Sequence, residues 1–138
     1  MKKKSKLFII IFYLFFALLA RAESKILSIG SPGAKVTVKV FSSLTCPHCA
    51  SFHTKIFENL KKDYIDKGLV RFEHHAFPLD LAALNAEMVV RCTANNDKKF
   101  QLLEEIYNKQ KFWAVGSDIK KINILIKEVG LGFNLSDD

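Results

Sequence analysis

Two cysteines separated by two residues, Cys46 and Cys49, lie where a strand pattern gives way to a helix pattern, and this junction constrains the fold more than any other feature. Residues 36–41 alternate β-branched with polar or aromatic side chains, which predicts a strand. Apolar residues then recur at helical spacing from Phe52 until Gly68, a usual helix stop. Cys46 is therefore expected at a helix N-terminus, where unpaired N–H groups and the helix dipole lower the pKa of a thiol.

The segments around this junction predict a βαβ unit. Residues 69–77 form a second strand pattern, and a strand, a helix and a strand in that order give a right-handed crossover if the strands are parallel in one sheet. Pro47 suits the first helical turn because its missing N–H would have no partner there. The predicted inward-facing residues are Phe52, Ile56, Phe57, Leu60 and Tyr64 on the helix, and Val70, Phe72, His74 and Ala76 on the strand.

After Asp80 the apolar residues follow a helical period to the end of the chain. They predict three amphipathic helices that form a helical core rather than a cofactor site. We expect the third helix to begin near Ser117 and to end at Gly130. Trp113 is expected to pack at a junction between helices. The predicted core positions are Leu81, Leu84, Met88 and Val89, then Phe100, Leu103, Ile106 and Tyr107, then Ile119, Ile122, Ile126 and Val129.

The first 22 residues have the organisation of a secretory signal. Four lysines precede an apolar run over residues 7–20, and Ala20-Arg21-Ala22 offers a small-x-small cleavage site that would leave Glu23 first. The alternative is an uncleaved anchor, but the run is shorter than the roughly 20 residues that a membrane-spanning helix needs. The sequence thus predicts export to the periplasm, an oxidising compartment, with no stable membrane span after the signal is removed.

Removing that segment also removes most of the net charge. The chain has 21 Lys and Arg against 14 Asp and Glu, and five of the basic residues lie in residues 1–22, so residues 23–138 carry 16 against 14, or +2. We therefore expect no nucleic-acid partner. The remaining length suits one domain with one core.

A Cys-x-x-Cys motif is either a redox pair or half of a zinc site. Cys92 with His53, His74 or His75 could complete a metal site, although His74 and His75 are adjacent in a strand and face opposite sides. The position between a strand and a helix, the inner Pro-His pair and an oxidising compartment favour a redox pair. Cys92 is expected to be a small buried hydrophobe, or else, as the odd cysteine, to pair between chains.

Cys46-Pro47-His48-Cys49 resembles the active-site sequence of the DsbA-like thiol-disulfide oxidoreductases, which share the thioredoxin fold. Phe77-Pro78-Leu79-Asp80 resembles the segment that leads many members into a helical insertion, here at about residues 80–130. Met88 to Trp113 is similar to the first insertion helices, including a cysteine at the place of Cys92. The resemblance implies an α/β, thioredoxin-like fold in residues 23–138.

The resemblance also implies an enzyme that exchanges disulfides with thiol-bearing secreted proteins, usually as an oxidant and without a cofactor. A membrane-bound or soluble redox partner would restore its disulfide. Cys46 would attack or be attacked through a mixed disulfide, and Cys49, one turn deeper, would resolve that intermediate. Pro47 and His48 would tune the pair, His48 by stabilising the Cys46 thiolate. We expect a more oxidising pair than that of thioredoxin.

Two departures from the family pattern concern the site. Val40 stands where many relatives have a buried acidic residue, which leaves Cys49 without an evident proton acceptor. The prolines are Pro32, Pro47 and Pro78, and none follows the helical region, where the family has a cis-Pro loop and two closing strands. We therefore expect a C-terminally truncated member with an open strand edge and low stability. The alternatives are a non-catalytic fragment and a Cys/His metal-binding module.

Overall fold

The computed structural model describes residues 26–93 and 95–133, so the predicted signal at residues 1–22 lies outside the described residues. Three strands, β1 (Leu27–Ile29), β2 (Val36–Ser42) and β3 (Val70–Ala76), form one sheet in the order β1-β3-β2. β2 runs parallel to β3, and β1 runs antiparallel to it. The predicted strand–helix–strand unit is therefore confirmed. Among the described residues, no strand pairs with the outer edge of β2.

Helix α1 links β2 to β3 and contains two π-helical turns. Its consecutive segments are α-helical Pro47–Phe52, π-helical His53–Phe57, α-helical Glu58–Leu60 and π-helical Lys61–Ile65. Each π turn adds a residue and rotates the following side chains around the axis. Ile56 and Tyr64 were predicted to be core residues, but both are more than half exposed, so this prediction is wrong. The rotation introduced by the π turns explains the error. Phe57 is buried as predicted, and His53 and Ile65, which were not predicted, also face the core.

Four helices follow β3: α2 (Leu81–Arg91), α3 (Asn96–Asn108), α4 (Gln110–Trp113) and α5 (Ile119–Leu131). The predicted core residues of α3 are all buried, as are those of α5 except the half-buried Ile119. α5 starts after Asp118, which caps it, and continues one residue past Gly130. The short helix α4 was not predicted.

The predicted inner face of α2 is wrong except at Val89, which is half-buried and packs against the core. Leu81, Leu84 and Met88 are exposed, and the buried residues of this helix are Ala82, Ala83, Ala86, Glu87 and Val90. Hydrophobicity alone favoured the leucines, whereas the small alanine side chains let α2 approach the helices beside it. Cys92, at the C-terminal end of α2, is also exposed, so its predicted burial is wrong.

An aromatic core joins α1, β3 and the later helices. Phe72 in β3 is fully buried, and its ring centroid lies 4.8 Å from that of Phe57 and 6.0 Å from that of Phe100. Trp113 is buried at the predicted helix junction, where its indole N–H donates to the Ile106 carbonyl over 2.8 Å. No helix within residues 26–93 or 95–133 has both the length and the apolarity to cross a bilayer.

Gly30 sets how closely the turn after β1 approaches β3. Its φ is +91°, and a Cβ atom there would lie 2.5 Å from the backbone oxygen of Val70. A larger residue would therefore push the turn away from the strand, as well as adopting an unfavourable φ. Glycine is required at this position by both conditions.

Candidate active site

The loop that carries Cys46 is held at both ends by the fold. β2 ends at Ser42, and the N–H of Cys46 donates to the Ser43 carbonyl over 3.1 Å, which closes a turn. Cys46 is the N-cap residue of α1, and Pro47 occupies the first turn as predicted. The Cys46 carbonyl accepts the Ala50 N–H at 3.1 Å. The strand therefore delivers the first cysteine directly onto the start of the helix.

The segment after β3 fixes the same loop from one side. The Thr45 hydroxyl donates to Asp80 Oδ2 over 2.7 Å, and Asp80 also caps α2 by accepting the Ala83 N–H through Oδ1 at 2.7 Å. The Leu79 N–H donates to the Ser43 hydroxyl oxygen over 3.3 Å. Residues 79 and 80 thus connect the motif to the start of α2.

Gln110, in the short helix α4, fixes the loop from the other side. Its amide nitrogen donates to the carbonyl oxygens of Leu44 at 2.7 Å and Cys46 at 3.0 Å. The side chain is buried. The sequence did not single out Gln110, because a glutamine in a helical region is usually exposed and only the fold brings α4 against this loop.

The environment of Cys46 favours its thiolate. The backbone N–H of Cys49 makes the largest contribution in lowering the pKa of Cys46 below its usual value, against the opposing effect of partial burial. The Cys49 thiol and the His48 backbone N–H also donate to the Cys46 sulfur and lower the pKa further. Cys46 remains half-exposed. A partly accessible thiolate of this kind can attack a disulfide.

Cys49 has the opposite environment. Burial is the main cause that raises the pKa of the Cys49 thiol, and the negative charge of Cys46 raises it further, although the Ser43 N–H opposes both. A group that is protonated at rest must lose its proton before it can attack. The two cysteines, both half-exposed free thiols in this structure, therefore differ in the direction in which their pKa values are shifted.

Pro47 and His48 occupy the exposed surface of the motif. The His48 backbone contributes to the Cys46 thiolate through its N–H. The predicted contribution of the His48 imidazole stays a prediction.

A chain of buried hydrogen bonds runs behind the motif from α3 through the sheet to α2. The Tyr107 hydroxyl donates to the Ser42 hydroxyl over 3.0 Å, and the Ser42 oxygen lies 3.3 Å from His74 Nδ1. His74 Nε2 lies 3.1 Å from Glu87 Oε2. Because a carboxylate only accepts, we assign the ring proton to Nε2, so that Nδ1 accepts from Ser42. The chain ends at Arg91, which pairs with Glu87 at 2.9 Å.

These bonds determine the protonation of the buried groups. Burial opposes ionisation of Glu87, but the hydrogen bond from His74 and the charge of Arg91 outweigh it and lower the Glu87 pKa. Burial raises the pKa of Tyr107, and the negative charges of Cys49, Glu87 and Glu104 add to the effect. Tyr107 is therefore a hydrogen-bond donor throughout the physiological pH range.

A second buried histidine, His53, lies on α1 one turn after Cys49. Its Nδ1 lies 2.8 Å from Glu104 Oε1, and its ring stacks on Tyr107 with 4.2 Å between centroids. Sequence reasoning considered His53 only as a metal ligand. The spacing of four residues from Cys49, on a helix, was the pattern that could have identified it as part of this site.

The arrangement gives no support to a Cys/His metal site. Within residues 26–93 and 95–133, no three or more His, Cys, Asp or Glu side chains are grouped closely enough to hold a metal ion. His53 and His74 are engaged by separate carboxylates, and His75 lies on the other side of β3, stacked on Phe41. Cys92 lies exposed at the end of α2.

Comparisons with known proteins agree with this geometry. The family model described as thioredoxin matches residues 22–131. A Rickettsia bellii protein, provisionally named a protein-disulfide oxidoreductase, is 31% identical over 103 residues, covering 74% of this chain and 39% of that protein. Disulfide bond formation protein D of Bacillus subtilis is 36% identical over 87 residues, covering 59% of this chain and 38% of that protein. The chain thus spans about two fifths of the length of these curated relatives.

Solved structures extend the agreement to three dimensions. The crystal structure of Wolbachia pipientis alpha-DsbA1 matches with a TM-score of 0.75 and 29% identity, covering 83% of this chain and 57% of that one. BdbD from Bacillus subtilis shares the fold, with a TM-score of 0.61 and 23% identity over 79% of this chain and 65% of that one. The predicted thioredoxin-like α/β fold is confirmed. The chain belongs to the thioredoxin family, and within that family it is similar to the DsbA-type disulfide oxidoreductases.

Proposed function

We propose that this chain is an exported thiol-disulfide oxidoreductase that exchanges a Cys46–Cys49 disulfide with thiol-bearing proteins and oxidises them. The asymmetry of the cysteine pair carries the proposal. Cys46 is half-exposed and has a lowered pKa, whereas burial raises the pKa of Cys49. The similarity to disulfide bond formation protein D of Bacillus subtilis supports the same chemistry.

The reaction begins with the pair oxidised. A substrate thiolate attacks Cys46 Sγ, a substrate–Cys46 disulfide forms, and the bond between Cys46 and Cys49 breaks. Cys49 leaves as a thiolate and takes up a proton, as its raised pKa favours. A second substrate thiolate then attacks the substrate sulfur of the mixed disulfide and releases the Cys46 thiolate. Two electrons pass from the substrate to the enzyme, and a redox partner, membrane-bound or soluble, removes them.

The direction follows from the stabilised Cys46 thiolate. Stabilising the reduced form makes the disulfide a stronger oxidant, and each unit by which a thiol pKa falls corresponds to about 1.4 kcal/mol, or about 30 mV for a two-electron couple. Pro47 and His48 contribute by shaping the first turn and by adding a donor to Cys46. We expect a reduction potential above that of thioredoxin, which is about −270 mV.

Trapping of the mixed disulfide tests the two cysteine roles. In Cys49→Ser the Cys46 thiolate should attack a disulfide-bonded protein substrate, one substrate sulfur leaving as a thiolate, and the mixed disulfide should accumulate because no Cys49 thiol resolves it. The adduct is seen by mass spectrometry and released by a reductant. Cys46→Ser should form none. Cys92→Ser is the matched control and should retain turnover, because Cys92 is exposed and remote from the pair in sequence. Absence of an adduct with Cys49→Ser would favour a non-catalytic fragment.

Measurement of the potential tests the direction. Equilibration of the pair with glutathione redox buffers, followed by acid trapping and mass spectrometry, gives the value directly. A potential at or below that of thioredoxin would contradict an oxidant role while leaving the exchange chemistry intact.

Export is tested separately. The basic and apolar pattern of residues 1–22 motivates it. Fractionation of expressing bacteria should place the chain in the periplasm, with Glu23 as its first residue on N-terminal sequencing. A cytoplasmic, unprocessed chain would contradict this part of the proposal.

A further inference from the structure

His53 has one nitrogen that the fold leaves unpaired. The residue is 3% exposed, and its Nε2 is the only buried side-chain nitrogen or oxygen without a hydrogen-bond partner within residues 26–93 and 95–133. Buried polar groups are nearly always paired, so an exception calls for an explanation. Nδ1 lies 2.8 Å from the Glu104 carboxylate, which can only accept, so Nδ1 carries the proton. In the neutral ring, Nε2 is then a free acceptor.

The backbone places this acceptor beside the second cysteine. The His53 N–H donates to the Cys49 carbonyl, an i to i−4 bond, and side chains at this spacing share a helix face with their Cβ atoms about 5–6 Å apart. Tyr107 stacks on the His53 ring, and the charge of Cys49 acts on the Tyr107 hydroxyl. Cys49, His53 and Tyr107 therefore form one cluster behind the exposed part of the motif.

We propose that His53, oriented by Glu104, is the proton acceptor for Cys49 when the Cys46–Cys49 disulfide is formed again from a mixed disulfide. This inference rests on the proposed function. Cys49 Sγ–H passes its proton to Nε2 through one water, and the thiolate attacks Cys46 Sγ. The Cys46–Cys49 bond forms, the bond from Cys46 to the partner sulfur breaks, and that sulfur leaves as a thiolate. The Glu104 carboxylate stabilises the imidazolium until the proton departs.

The other buried acid–base groups do not offer such an acceptor. Val40 occupies the family's acidic position, and both Glu87 oxygens are engaged, one by His74 and one by Arg91. The groups around His53 are Cys49 on the same helix, Glu104 and Tyr107 from α3, and His74 from β3. The groove that His53 helps to line, about 520 Å³ in volume, adds Glu58, Lys61, Lys62 and Asp66. The first π turn also begins at His53, and such turns are frequent at functional sites.

Transient kinetics of the full chain, in a Cys92→Ser background, test this role. Reduced protein mixed with oxidised glutathione reacts in two phases. Cys46 first forms a glutathione mixed disulfide, and Cys49 then resolves it and releases a second glutathione. Acid quenching and mass spectrometry follow both phases between pH 5 and 10.

His53→Gln should slow the second phase at pH 7 by about 10- to 100-fold, at or below the lower end of the roughly 10²–10⁴-fold range of general acid–base catalysis, because water can partly substitute. The first phase should change by less than about twofold, because Cys46 is already favoured as a thiolate. The two proteins should converge at a pH where Cys49 ionises unaided. Glu104→Gln should give a smaller loss, because an amide retains the contact but not the charge.

His75→Gln is the matched control, since His75 also pairs with a carboxylate, that of Glu73, but lies on the other side of β3. It should leave the pH profile of the second phase unchanged. The inference is overturned if His53→Gln leaves that phase unchanged, slows both phases equally, or gives the same profile as His75→Gln. If His53→Gln does not fold, the Glu104→Gln variant alone tests the inference. It should fold, because the Glu104 side chain is partly exposed. If the parent protein forms no mixed disulfide at all, the proposed function itself has failed.

Discussion

Replacement of Gln110 by alanine should loosen the active-site loop and destabilise the protein. The substitution removes two hydrogen bonds, to the carbonyls of Leu44 and Cys46. The Cys46 carbonyl keeps the N–H of Ala50, but no other donor among the described residues reaches the carbonyl of buried Leu44. A lost neutral bond costs about 1 kcal/mol, and an unsatisfied buried acceptor about 1–3 kcal/mol. We therefore expect a loss of about 2 kcal/mol, or about 8 °C in Tm for a domain of this size.

Thermal unfolding of the reduced protein, followed by circular dichroism, measures the effect. Gln101→Ala is the matched control, because Gln101 is an exposed glutamine on α3 and its loss should change stability by less than about 0.5 kcal/mol. Alkylation of Cys46 should also be altered in Gln110→Ala, since the loop that presents the sulfur is less restrained. Equal melting temperatures for the two variants would refute the view that Gln110 holds this loop.

Three further predictions follow from burial and charge. Alkylation of Cys46 should reach half its maximal rate below pH 9.0, the usual pKa of a thiol, because the Cys46 pKa is lowered. The lowered pKa also stabilises the folded, reduced protein; this contribution is complete above pH 9.0 and is lost as the pH falls through the Cys46 pKa of the folded state. Glu87→Gln should cost about 2 kcal/mol at neutral pH. The Glu87 pKa is also lowered, so its contribution is present above pH 4.5 and is lost as the pH falls through the folded value, which urea unfolding at several pH values can detect. Phe72→Ala should cost about 3–5 kcal/mol in the same urea assay, through a cavity in the aromatic core.

Local chemistry explains which features were predictable. The alternation over residues 36–41, the position of Pro47 and the change of period after Asp80 each depend on neighbouring residues, and the corresponding strand, helix start and helices are present. The His74 side chain faces the core and the His75 side chain faces the other side of the sheet, as the period of two in a strand predicts. The family resemblance also rested on contiguous residues, and the comparisons agree with it.

The errors arise where packing overrides local pattern. Two π turns in α1 moved Ile56 and Tyr64 outward, and Ile65 rather than Tyr64 is buried. On α2 the alanine face rather than the leucine face meets the core, because close approach of helices requires small side chains there. Cys92 is exposed because it lies at the end of that helix rather than on its inner face.

Cys46 and Cys49 belong to four contiguous residues between a strand and a helix, and this local pattern alone makes a redox pair the expected chemistry. The hydrogen bonds from Gln110 to the active-site loop, and between Glu104 and His53, could be seen only in the tertiary structure. These partners are 51 to 66 residues apart in sequence, and no local pattern relates them. Folding brings α3 and α4 against α1, and burial there requires each polar group to find a partner, which is why the environment of the pair depends on the tertiary structure.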